Sequence, residues 1–156
     1  MNNDTLASKY AEGAQDGTGS NMFINNDTIY SFGSHYKIAV RLDKDLSFAT
    51  SYDHVFNAEG YSNATGGHKA HVRGYLSNYI EIPGCNIEEN FLRNYIEELR
   101  LEVEEVKAKQ AKLKTKGVRY KQFENKINTK LSRFQEVENF TIALHGGQAV
   151  HFIKTA

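Results

Sequence analysis

The sequence has one cysteine, Cys85, so it can form neither an intramolecular disulfide nor a zinc site built on several cysteines. That usage fits a reducing compartment, and a cytoplasmic location is the expectation. Net charge is also missing: Lys and Arg together number 19, as do Asp and Glu. No global field therefore draws nucleic acid in or drives it away, and any electrostatic function must come from local clustering. No apolar run is long enough to span a bilayer, so no membrane partner is expected. Residues Met1 to Gly19 are polar and small rather than basic then apolar, unlike a signal peptide, and a mobile tail is expected over 1–20. HExxH, paired-cysteine and nucleophile-elbow motifs are absent, so binding is expected rather than catalysis, with no cofactor.

What is there divides into a body and an arm. Between Asn86 and Asn139, apolar residues recur at Leu92, Ile96, Leu99, Val103, Val106 and Leu113, with Gln110 filling a gap, in the alternating four-and-three steps of a coiled-coil seam. Phe123, Ile127, Leu131 and Phe134 supply a facing stripe. Thr115-Lys116-Gly117 lies between them, and a left-handed glycine there would end the first helix and turn the chain back. Asn86 with Glu89 reads as a capping box. From Asn21 to Pro83 the period shortens. Strand-like alternation runs through Thr28 to Phe32, Tyr36 to Leu42, and Leu46 with Phe48, separated by Asn25-Asn26-Asp27, Gly33-Ser34 and Asp43-Lys44-Asp45. A short helix is expected over His68 to Asn78, with Thr65 as its cap, then a strand at Tyr79 to Ile82, closed by Pro83-Gly84. Phe140 to Leu144 and Ala149 to Ile153 flank His145-Gly146-Gly147-Gln148 like two strands of a hairpin. The expected fold is α+β: a small antiparallel sheet with one short helix over 21–85 and 140–156, and a long antiparallel helical hairpin inserted over 86–139.

Two blocks in the body, Asp27 to Ala39 (DTIYSFGSHYKIA) and Tyr61 to Arg73 (YSNATGGHKAHVR), resemble a group of small phage and mobile-element proteins, mostly of unassigned activity. In that group a YSYGxHFPIA-like strand pair precedes a TTSxHxxxVR-like turn and helix. Lys37 stands where the group usually has proline, Gly66-Gly67 replace a more polar turn, and the arm lies outside the likeness. The resemblance implies a phage or mobile-element setting in the cytoplasm of a bacterial host cell. Small proteins there often block host nucleases, anti-CRISPR proteins among them, or assist phage nucleic-acid metabolism. It carries over no catalytic residues.

The densest charge cluster is at the tip of the arm. Lys107, Lys109, Lys112, Lys114, Lys116, Arg119, Lys121, Lys126, Lys130 and Arg133 face a single acid, Glu124, within 107–133. Such a run can neutralise several phosphates with little sequence preference, and Tyr120 could add a stacking surface. A solvated helix face is the plainer alternative. The base is acidic, with Glu88, Glu89, Glu97, Glu98, Glu102, Glu104 and Glu105 against Arg93 and Arg100. Those acids suit a helix start and pairing with lysines of the returning helix, or, less simply, phosphate mimicry. Lys69 and Arg73 could extend a basic face on the short helix. His35, His68 and His71 form the alternative, a metal-dependent nuclease or hydrolase site, with Asp53, His54 or Glu59 as further ligands. Hydrogen bonding at turns is the simpler role for His35 and His68. The expected partner is a nucleic acid or a host nucleoprotein, of which a Cas effector is one kind. Self-association through the arm is a third reading.

Overall fold

A computed structural model of the chain describes residues 1–31, 36–59 and 63–146. It resolves into two compact units, Met1–Asn86 and Ile87–Ala156, and the architecture is α+β.

The first unit begins with a helix, α1 (Asn3–Ala11), where a tail was expected. The Asn2 side chain accepts a hydrogen bond from the Thr5 amide at 2.7 Å, satisfying one of the helix's otherwise orphaned donors. Leu6, Ala7 and Tyr10 fall on one face and are all buried, so hydrophobic burial rather than propensity holds this segment. Six strands follow in sheet order β1 (Asp16–Thr18), β2 (Met22–Asn25), β3 (Thr28–Ser31), β4 (Tyr36–Arg41), β5 (His54–Asn57) and β6 (Tyr79–Ile82). Neighbours pair antiparallel except β5 with β6, which run parallel. A parallel pair requires a crossover, here α3 (Asn63–Tyr75). Asn26, at φ 56°, takes the left-handed conformation in the two-residue β2–β3 turn, where asparagine is tolerated. The expected turn at Gly33-Ser34 lies outside the described residues.

Three expectations are corrected in this unit. The segment with Leu46 and Phe48 is helix α2 (Lys44–Thr50) rather than a strand. Asp43 caps it, accepting from the Leu46 amide at 2.8 Å, and so opens a helix instead of a hairpin. Thr65 lies within α3, which starts two residues earlier at Asn63. The first 20 residues contribute α1 and β1 to the fold. Leu6, Tyr10, Met22, Ile29, Phe56 and Val72 form one core with their neighbours. Cys85, just after Pro83-Gly84, is buried, with its thiol 3.5 Å from the Val55 carbonyl. Burial pushes that thiol up to about 12.

The second unit is the helical hairpin, α4 (Glu89–Ala111) and α5 (Val118–His145), packed against each other. Every α4 seam residue expected from the heptads up to Val106 is buried, and on α5 so are Ile127, Leu131 and Phe134. Val103, Val106 and Ile127 cluster, with Phe123 against them. Three details differ from expectation. The helix cap is Glu88, not Asn86. Gly117 is extended, at φ −92°, and caps α5 instead of adopting a left-handed turn. Phe140 to Leu144, expected as a strand, continues α5, because Val137, Phe140 and Thr141 prolong its buried stripe. His145 is the last helical residue and Gly146, at φ 76°, its C-cap. Ala149 to Ile153 lies outside the described residues.

Candidate nucleic-acid interface

Helix α4, with 23 residues, is roughly 35 Å long at the usual helical rise. Cross-hairpin bonds fix how α5 returns along it. Near the tip, Gln110 Nε2 donates to the Tyr120 carbonyl at 3.3 Å. Midway, Lys130 reaches Glu102 at 3.5 Å. Lower down, Arg133 bonds the Tyr95 hydroxyl across the hairpin at 3.2 Å and, on its own helix, Glu136 at 2.6 Å. At the base, His145 Nε2 lies 2.8 Å from the Ile87 carbonyl.

These contacts sort the ten cations expected at the tip into two groups. Lys109 pairs with Glu105 at 3.3 Å, one helical turn away, and Lys130 and Arg133 are paired as above. Lys107 is partly covered and engaged. The other six, Lys112, Lys114, Lys116, Arg119, Lys121 and Lys126, are exposed, and none has an ion-pair partner among the described residues. Unneutralised charge is therefore concentrated on the 112–117 connection and the first turns of α5. Lys116 lies 5.7 Å from the Tyr120 ring and Arg119 5.7 Å from that of Phe123. Both aromatic faces thus hold a cation beside them. Like charges this close repel one another, and a polyanion would relieve that repulsion.

The acidic base follows the simpler expectation in part. Glu89 pairs with Arg93 at 3.0 Å, and Glu97 holds Arg100 through two bonds. Glu102 binds Lys130 of the returning helix as expected, whereas Glu105 pairs with Lys109 on its own helix.

The remaining expected site residues belong to the first unit. Lys69 Nζ donates to the Glu59 carbonyl at 2.8 Å and lies 5.5 Å from the Phe56 ring. Arg73 pairs with Glu81 at 2.9 Å and stacks 4.7 Å from the same ring. Both act locally, on β5 and β6 and the chain after them. His68 Nδ1 is 2.7 Å from the Ser31 hydroxyl, and burial, with His71 nearby, lowers its proton affinity. His71 instead faces Asp4 at 3.5 Å. His35 lies outside the described residues, and among those described no three histidine, cysteine or acidic side chains form a group able to hold a metal ion. No helix among them is long and apolar enough to cross a membrane. No protein-family model, curated protein or solved structure matches the chain.

Proposed function

We propose that the tip of the α4–α5 hairpin binds the phosphate backbone of a nucleic acid or nucleoprotein, with little sequence preference. The single observation that carries this reading is the set of six exposed cations without acidic partners between Lys112 and Lys126. Lysine-rich surface helices are common, but they usually intersperse acids, as this hairpin does below Lys109. In the biological reading that goes with it, the protein is a phage or mobile-element accessory factor acting in a bacterial cytoplasm. There it engages a host defence nuclease on its nucleic acid, a Cas effector being one such target. The likeness of the two body segments to phage proteins supports that setting.

Binding to labelled duplex DNA and to single-stranded RNA, followed by fluorescence anisotropy across a salt series, tests the phosphate contact. If about five phosphates are neutralised, log affinity for duplex falls against log salt with a slope near −4.5. The combined substitution Lys112→Glu, Lys116→Glu and Lys121→Glu should flatten that slope by about 3 and leave helix content unchanged. An unaltered slope and affinity in that variant would exclude the tip as the binding surface.

A further inference from the structure

A second site lies in the first unit, where β4 and β5 emerge beside α1 and α2. Arg41 and His54 are directly paired across the two strands, so their side chains leave the same face of the sheet. Both line an open, solvent-facing cleft of about 460 Å³ that also takes in Leu42, Lys44, Phe48 and Asp53. That is the size of a pocket for a small organic molecule.

Three features of the lining call for a ligand. Arg41 is held rigidly: Nη2 donates to the Tyr10 carbonyl at 2.7 Å and the Ala14 carbonyl at 3.0 Å, and the guanidinium lies 4.7 Å over the Tyr10 ring. Those two bonds leave three donors of its fork, and no carboxylate among the described residues forms an ion pair with it. His54 is only 8% exposed, yet neither ring nitrogen has a hydrogen-bond partner. A buried polar group left in that state is costly, and because both nitrogens are closed to solvent a ligand reaches them only where the wall gives as it seats. Phe48 is 91% exposed at the rim, a large aromatic ring left uncovered.

Charge narrows the chemistry. Arg41 and Lys44 are balanced in the lining by Glu12 and Asp53, and Asp53 already accepts from the Ser47 hydroxyl at 2.6 Å. A phosphate dianion or polyanion would meet those two carboxylates, whereas one negative charge can sit on the Arg41 fork. We propose that this cavity binds a small monocarboxylic acid with a flat apolar body, its carboxylate on Arg41 and Lys44 and its body against Leu42 and Phe48, with His54 bonding to the seated ligand.

The test uses the full chain, isotope-labelled, titrated with para-fluorobenzoate and with the neutral para-fluorobenzamide, followed by fluorine and amide NMR. Fluorobenzoate should bind more than about tenfold tighter than the amide and shift the signals of Gly13, Leu42 and Ser47. Arg41→Gln should abolish binding. Because Arg41 also ties down the end of α1, the exposed positions serve as the second probe: Phe48→Ala and Lys44→Gln should each weaken binding by about fivefold or more with the amide spectrum otherwise native. Equal binding of acid and amide, shifts confined to the lysines of the hairpin tip, indifference to Phe48→Ala and Lys44→Gln, or no binding up to the solubility of the probe would each overturn the proposal.

Discussion

Asn57 shows how much one polar side chain can organise. It is 2% exposed, donates to the Lys37 carbonyl at 2.8 Å, and accepts from the amides of Glu59 and Gly84 at 2.9 and 2.8 Å. Three backbone segments therefore depend on a single amide group. Asn57→Ala removes three part-buried bonds at once and should cost about 2–4 kcal/mol in urea denaturation. His54 gives a pH signature. Burial first, and then the Arg41 charge, push it down to about 4, against a small opposing effect of Asp53; Tyr10, ring to ring at 5.5 Å, offers it no charge. The folded state holds the neutral imidazole while the unfolded chain takes up a proton near the ordinary histidine value, so this contribution is complete above about pH 6.5 and fades as pH falls toward 4. The loss reaches up to about 3 kcal/mol, and His54→Phe should remove that part of the acid limb in a pH series of denaturation curves.

Among the elements, α2 has the smallest helical claim, and its cap should matter accordingly. Asp43→Ala removes the acceptor for the Leu46 amide and should cost about 1 kcal/mol, read as a lower denaturation midpoint with unchanged slope. That cap also shows where sequence reasoning succeeded and failed. Asp43 was visible as a turn former, but Leu46 and Phe48 two apart suggested a strand, although Phe48 in fact points to solvent. β6 was legible to the residue, because Pro83-Gly84 ends it sharply, and the hairpin was legible because its seam repeats for many turns. Asn2, Leu6 and Tyr10 carried the signal for α1, a cap followed by i, i+4 apolar spacing, inside a stretch whose small polar residues dominate by number. Phe140 to Leu144 misled for the opposite reason. A short apolar run has no period of its own, and only its continuity with Phe134 and Val137 marks it as helix. Of the candidate site residues, the tip lysines could be found from composition. Arg41 could not, since its role rests on β4–β5 register and on carbonyls of α1 and the chain after it.

For the molecule as a whole, equal numbers of acids and bases give an isoelectric point near 7.0, while among the described residues six cations without an ion-pair partner gather at the hairpin tip. Proteins of zero net charge with segregated patches attract their own copies when salt does not screen them. Solubility, followed by light scattering, should therefore be lowest near neutral pH at low salt and rise as salt is added. The variant with glutamate at positions 112, 116 and 121 is strongly acidic by comparison and should lose that minimum near neutrality.

The Gln110 contact with the Tyr120 carbonyl has one more consequence. A seam of interchangeable aliphatic residues looks almost the same after a slide of seven residues, so two such helices could settle at several offsets with similar burial. A polar group among them breaks that translational symmetry, because an offset that sets it among aliphatic side chains forfeits the bond made in the present one. The amide of Gln110 thus acts as an index mark, telling the returning helix where along its neighbour to stop.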